Sequence, residues 1–257
     1  YGVTQGFGCG WTMRHGVKKG REPMTTQWQF WIDRGGTFTD LVGRAPTGEL
    51  VVRKVLSEPA IDRGDPAVCA IREVMGLPAG AQIPPGLIQE VRLGTTVATN
   101  ALLEGAGEPV LLITNQGLAD LLLIGDQHRP DLFALEIPAP KSLAVAVVES
   151  RGRLNADGEE VEPLCLDAEL ETTLRAHRSS GINACAIALM HAWREPCHER
   201  RLAELAQTLG FTTVVCSHQV SPLPRLVPRS QTSVVEAAVE QLLFRYLQQV
   251  RQSLGGQ

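Results

Sequence analysis

Apolar residues near the start of the chain fall into short runs separated by glycine-rich turns. Phe30–Ile32 and Phe38–Val42 flank a Gly-Gly pair, and Pro46-Thr47-Gly48-Glu49 leads into Leu50–Val55. Short apolar runs joined by tight turns predict three consecutive antiparallel strands. The spacing then becomes helical over Asp65–Met75, with Val68, Ile71, Arg72 and Met75 on one face and Gly76 as the stop.

From there the pattern alternates. Glu90–Leu93 is expected as a strand, Thr96–Glu104 as a helix, Pro109–Thr114 as a strand and Gly117–Ile124 as a helix. The three prolines of Gly125–Pro140 predict a loop, Leu143–Arg153 a strand, and Asp157-Gly158 a hairpin turn. Helix Leu166–Ser180, strand Ala184–Met190, helix Glu195–Leu209 and strand Thr212–Ser217 follow. After Pro222, Pro224 and Pro228 comes one long helix, Ser230–Ser253, with apolar positions at Val234, Ala238, Leu242, Tyr246 and Val250. A meander of antiparallel strands followed by alternating α and β predicts an α/β fold with a mixed sheet. The last helix has no strand after it. Its apolar stripe either packs back on this domain or belongs to a following one, and the favoured expectation is that it packs outside this domain.

Composition changes little in that picture. At 257 residues, 44% hydrophobic and 20% charged, the chain reads as an ordinary globular protein of one or two domains. A formal net charge of -4 and the lack of a basic stripe argue against nucleic acid as a partner. No apolar run reaches the roughly 20 residues of a membrane span, and Tyr1–Pro23 has no apolar signal core. Residues 1–23 are expected to be an unstructured or artefactual extension, with the protein proper starting near Met24. The six cysteines show no CxxC pair, which predicts reduced thiols and a cytoplasmic protein, with Cys185 and Cys216 in the core.

The chemistry concentrates in two places. In Asp33-Arg34-Gly35-Gly36-Thr37-Phe38-Thr39-Asp40 the glycines occupy a hairpin tip, where they permit positive φ and close approach of a ligand. Such a turn aims several backbone N–H groups one way and makes a nest for phosphate, to which the Thr37 and Thr39 hydroxyls can add donors. Asp33, at the strand end, suits a hydrated Mg²⁺, with Asp40 assisting or facing a substrate. The second place is Gly94-Thr95-Thr96-Val97-Ala98-Thr99-Asn100, which follows a strand and opens a helix, so that free N–H groups face beyond Gly94. A threonine acting only as helix N-cap is the plain alternative there. His191, Cys197, His198 and Glu199 match no standard zinc spacing and are expected to serve structural hydrogen bonding.

Three motifs in order, Asp33–Asp40, Gly94–Glu104 and Ile124–Phe133, resemble the hydantoinase/5-oxoprolinase family, and more narrowly its ATP-dependent 5-oxoprolinases. The likeness runs from Trp28 to about Tyr246 and includes Ala188-Leu189-Met190-His191, Pro196, His198-Glu199 and Val227-Pro228-Arg229-Ser230. It departs at His128, where the family commonly has a small residue. The resemblance implies a ribonuclease-H-like fold of the actin, sugar-kinase and chaperone ATPase type, incomplete in this chain. It implies opening of 5-oxo-L-proline to L-glutamate with ATP cleavage through a phosphorylated lactam, with Mg²⁺ and K⁺. It gives Asp33 and Asp40 catalytic roles, with Asp33 holding the metal through water. Gly35, Gly36, Thr37 and Thr39 bind phosphate. Gly94, Thr95, Thr96, Thr99, Asn100, Arg129 and Asp131 line the substrate side, Arg129 being suited to a substrate carboxylate.

In ATPases of this type the adenosine pocket and a second phosphate loop come from a later half of the chain. The expected division is therefore an N-terminal family domain over 24–222, then over 223–257 a linker and the first helix of a truncated hydantoinase A domain. Such a polypeptide is expected to be inactive alone. It would partner with the remainder of the enzyme or a second subunit and form a homo-oligomer at full length. Three alternatives remain: an N-substituted hydantoinase or acetone-carboxylase-type subunit, a non-catalytic ATP-binding switch or chaperone, and a fragment without function. Arg34 and Arg129-Pro130-Asp131 lean toward the oxoprolinase.

Overall fold

The computed structural model describes residues 26–58, 64–126, 133 and 142–255. Residues 1–23, Met24, His128, Arg129, Asp131 and most of the proline-rich loop lie outside the described residues.

The meander forms as its turns require. Strands β1 (Trp28–Arg34), β2 (Phe38–Arg44) and β3 (Leu50–Leu56) pair antiparallel, with Asp33 opposite Asp40 and Asp40 opposite Lys54. Helix α1 (Pro66–Val74) begins where the Asp65 carboxylate accepts from the N–H groups of Ala67 and Val68, with Pro66 in the first turn. Strand β4 (Ile88–Thr95) then joins parallel to β1, with Gly94 beside Asp33, giving the order β3-β2-β1-β4.

Helix α2 (Val97–Leu103) leads to β5 (Val110–Asn115), the short helix α3 (Leu121–Ile124) and β6 (Ala144–Ser150). A small hairpin of β7 (Arg153–Leu154) and β8 (Glu160–Glu162) precedes α4 (Ala168–Ser179), β9 (Ala184–Ile187), α5 (Cys197–Thr208) and β10 (Thr213–Cys216). These strands make a second, all-parallel sheet in the order β10-β9-β5-β6. Every residue of β5 is buried, which suits a strand covered on both faces. The expected mixed sheet is the first one, antiparallel over β3-β2-β1 and parallel at β1-β4, while the second sheet is parallel throughout.

The chain ends in α6 (Ser217–Val220) and α7 (Leu226–Ser253). Helix α7 starts before the expected Ser230, because Pro228 sits in its first turn, where no intrahelical N–H is lost. Its apolar stripe, expected to pack outside this domain, is covered within the chain. Val234, Ala237 and Ala238 pack in the core of the second sheet, while Tyr246, Val250 and Leu254 pack under the first with Phe30, Ile32 and Leu41. Helix α7 thus ties the two sheets together. Cys185 and Cys216 are buried as expected, and burial pushes the Cys216 thiol up to about 12.

The expected strand Leu143–Arg153 breaks at Gly152, whose φ is 127° and whose added Cβ would lie 2.7 Å from Leu164 Cα. That approach is to backbone, which cannot swing away. Gly152→Ala is expected to lower stability by about 2 kcal/mol or more, read as a fall in the urea midpoint without a change of slope.

Candidate functional site

The period-two alternation of β1 separates the residues of its motif onto two faces. Phe30, Ile32, Leu41 and Leu93 face the core with α1, whereas Trp31, Asp33, Asp40 and Val42 share with Arg92 and Gly94 the open face, where a cavity of about 410 Å³ is floored by Ile32 and Leu93. The Asp33 carboxylate makes no hydrogen bond or ion pair among the described residues, although it stands opposite a second carboxylate in the ladder. Asp40 is not free in the same way, since Lys54 Nζ lies 2.7 Å from both of its oxygens. Of the two, Asp33 is therefore the carboxylate that could hold a metal ion, Asp40 being paired with Lys54.

The hairpin tip is closed by the Gly35 N–H donating to the Phe38 carbonyl at 3.0 Å. The Gly36 and Thr37 N–H groups find no acceptor among the described residues, and both residues are exposed. They form the available anion nest. Neither glycine takes the positive φ expected of it. Close approach is what requires them: a Cβ on Gly35 would lie 3.0 Å from the Phe38 carbonyl oxygen, and one on Gly36 would lie 3.1 Å from Asn100 Nδ2.

Thr39 corrects a second expectation. It is fully buried on the core face, with its hydroxyl 2.9 Å from Ser57 Oγ, so it braces β2 rather than donating toward phosphate.

The second motif lies against the first. Thr96 donates from its N–H (3.0 Å) and its hydroxyl (3.3 Å) to the Arg34 carbonyl, and Asn100 on α2 reaches the Gly36 turn. Thr96 is the N-cap residue of α2 but makes no side-chain capping bond, while Thr95 Oγ1, one residue earlier, accepts from the Val97 N–H at 3.2 Å. Gly94 lies beside Asp33, where an added Cβ would sit 3.6 Å from the carboxylate. Thr99 is exposed on α2. The structure thus gathers Asp33, Gly35, Gly36, Thr37, Gly94, Thr96 and Asn100 at one end of the first sheet. Trp31, Lys54 and Arg92 also border this face. The alternation back from Asp33 points to Trp31, and the β2–β3 register to Lys54.

The second sheet offers less. Its strand order reverses between β5 and β9, the usual ligand crevice of an open parallel sheet. Here the Asn115 amide fills that point, accepting from the Met190 N–H at 2.7 Å and donating to the Gly152 carbonyl at 2.8 Å. Nearby, Glu199, Cys216 and His218 bring one ligand atom each within 4.8 Å of one another. Glu199 is fully buried and already accepts from the N–H groups of Leu189 and His218, from Ser217 Oγ and from His218 Nδ1, with Arg229 at 3.6 Å. A carboxylate so occupied, beside a guanidinium, is a structural hub. His198 likewise pairs with Glu160 at 2.6 Å, which holds that carboxyl below its ordinary range.

Among the described residues no helix is long and apolar enough to cross a membrane. The model of the hydantoinase/oxoprolinase N-terminal region matches residues 29–210. The chain is 36% identical over 246 residues to 5-oxoprolinase 1 of Arabidopsis thaliana, covering 85% of this chain and 19% of that protein. It is 31% identical over 234 residues to caprolactamase subunit alpha of Pseudomonas jessenii, covering 87% of this chain and 33% of the relative. The solved ATP-dependent caprolactamase of Pseudomonas jessenii superposes with a TM-score of 0.70 at 28% identity, covering 88% of this chain and 34% of that one. Nucleotide-free acetone carboxylase superposes equally well (TM-score 0.70) at 20% identity, covering 90% of this chain and 34% of that one, a likeness of fold. The chain spans about a fifth of the length of the 5-oxoprolinases it matches. With the Asp33–Asp40 hairpin and the Gly94–Asn100 turn inside the matched region, the chain belongs to the hydantoinase/oxoprolinase family and corresponds to its N-terminal region.

Proposed function

We propose that this chain supplies the phosphate-binding half of an ATP-dependent cyclic-amide hydrolase that opens 5-oxo-L-proline to L-glutamate. The observation that carries the reading is the unpartnered Asp33 carboxylate beside a hairpin tip whose Gly36 and Thr37 N–H groups are free. Free N–H groups complement phosphate oxygens, while a bare carboxylate beside them repels phosphate unless a cation lies between. Mg²⁺ bound through water would supply charge neutralisation of the triphosphate, and Asp33 is the residue that fits it. A lactam carbonyl is a poor electrophile. Transfer of the γ-phosphoryl group to its oxygen leaves ADP and an imidate-like carbon to which water adds. The ring C–N bond then breaks as the nitrogen takes a proton, and hydrolysis of the resulting acyl phosphate gives glutamate and phosphate. The phosphoryl transfer depends on positioning and charge stabilisation.

In this reading Gly36 and Thr37 hold phosphate and Asp33 positions the metal. Gly94 leaves room beside that carboxylate, and Asn100 seats the turn. Thr95, Thr96 and Thr99 stand toward the substrate side; Arg129 and Asp131, which lie outside the described residues, are assigned to the substrate by the family resemblance alone. K⁺ assistance and a homo-oligomeric cytoplasmic enzyme belong to the same proposal. The likeness to a caprolactamase favours a second reading, in which the ring is a larger lactam.

A polypeptide carrying this chain with the remainder found in its relatives is expected to form ADP only when 5-oxoproline is present, with glutamate released. Turnover with caprolactam but not 5-oxoproline selects the second reading, and lactam-independent ATP binding without turnover points to a switch or chaperone. The chain alone is expected to bind nucleotide weakly and to leave ATP intact. Hydrolysis by the chain alone at an enzyme-like rate, abolished by Asp33→Ala, contradicts the division of the site.

A further inference from the structure

The phosphate hairpin is held from behind by a residue within its own motif. Arg34 lies between Asp33 and the glycines, but the strand alternation turns its side chain to the opposite face from Asp33. There its Nη1 lies 2.8 Å from Asp65 Oδ2, the two side chains being 17% and 4% exposed. Asp65 is itself fixed, because its other oxygen caps α1 through the Ala67 and Val68 N–H groups. On the remaining side the guanidinium lies over the Tyr246 ring of α7, 4.7 Å from its centroid. Tyr246 is buried with its ring face against the guanidinium, and Arg34 and Thr95 both lie near its hydroxyl.

The backbone of the same residue carries the site. The Arg34 carbonyl takes both donors of Thr96, and the next N–H, that of Gly35, closes the tip on Phe38. Moving Arg34 therefore moves the junction of the two motifs and the Gly35–Thr37 turn together. We propose that Arg34 is a positioning residue, clamped between Asp65 of α1 and Tyr246 of α7, that sets the hairpin tip and the Gly94–Asn100 turn in the register needed to hold phosphate. The inference rests on the phosphate-site reading for its purpose, but not for its geometry.

Planarity matters to the clamp, because a guanidinium can pair with a carboxylate at its edge and stack by its face, whereas an ammonium keeps only the charge. The test is amide hydrogen exchange on the chain and on Arg34→Met, Arg34→Lys and Tyr246→Leu, with Mg²⁺-ATP affinity followed by tryptophan fluorescence. Arg34→Met is expected to speed exchange of the Gly35 and Thr96 amides at least tenfold while leaving Leu112 in β5 unchanged. Arg34→Lys is expected to recover part of that protection, and Mg²⁺-ATP affinity to fall at least fivefold in Arg34→Met. Exchange at Gly35 and Thr96 within twofold of the parent in Arg34→Met overturns the proposal. If Arg34→Met does not fold, Tyr246→Leu decides: a threefold or greater rise at those two amides supports the clamp, and no change overturns it. If the parent chain binds no ATP, the phosphate-site reading fails and the exchange measurement alone decides the role of Arg34.

Discussion

Replacing Asp33 by alanine is expected to lower lactam-dependent ATP turnover of the complete polypeptide by a factor on the order of 10³, the scale of losing one preorganised electrostatic partner of the transition state. The unfolding midpoint should not fall. Asp33 makes no hydrogen bond or ion pair among the described residues, and it faces Asp40 across the ladder, so its removal breaks no contact and relieves a like-charge pairing. That combination separates a metal-holding role from a structural one. Asp40→Ala should behave differently, since it releases Lys54 from an exposed ion pair and leaves a lone positive charge at the rim. A modest change in affinity with turnover largely retained is expected there. An Asp33→Ala protein with parental turnover would remove Asp33 from the mechanism.

The largest expected effect on stability lies in the second sheet. Arg229 and Glu199 are both fully buried, and Arg229 donates to Ser217 Oγ and to the Leu189 carbonyl, each at 2.7 Å. Its Nε has no partner among the described residues, and burial lowers its pKa, so the guanidinium is held at a cost that Glu199 offsets. Arg229→Met leaves the Glu199 charge buried without its counter-ion and is expected to cost about 3–5 kcal/mol. Glu199→Gln together with Arg229→Met should cost less than the sum of the single changes, because the second removes the charge that the first strands. The check is urea unfolding of the singles and the double. Strict additivity would mean that the two groups do not act as a pair.

The lettering of the chain exposed the site's local parts and hid its long-range ones. Strands β1 and β2 are joined by Gly35-Gly36-Thr37, and their alternation is set over neighbouring residues, so the hairpin and the exposed placement of Asp33 could be read directly. The inward face of Thr39 follows from the same alternation as Leu41, but its partner Ser57 lies beyond the next turn and could not be read. The positive φ expected of Gly35 and Gly36 failed for a related reason. What demands glycine is the Phe38 carbonyl in one case and Asn100, far along the chain, in the other.

The partner of α7 was equally out of reach. Its stripe predicted a buried face, but what covers it includes Phe30 and Leu41 under the first sheet and Val110 and Leu112 in the second. Contacts such as Arg245 with Glu108 and Arg72 with the Ser253 carbonyl span more than a hundred residues, and periodicity carries no information at that distance. Arg34 shows the limit most clearly: its place in the motif leaned only toward one family reading, and the fold alone reveals that its side chain turns from Asp33 to Asp65 and Tyr246.

The central claim is that phosphate meets the chain at the Gly35–Thr37 tip. Titrating Mg²⁺-ATP into the isotopically labelled chain and following backbone amide resonances tests it most directly, since weak binding still shifts the residues in contact. Gly36 and Thr37 are expected to move first and farthest, with Gly94 and Asn100 following, and the shifts to shrink when Mg²⁺ is withheld. Shifts centred on Asn115 and Met190 at the ends of β5 and β9, with the hairpin unmoved, would contradict it.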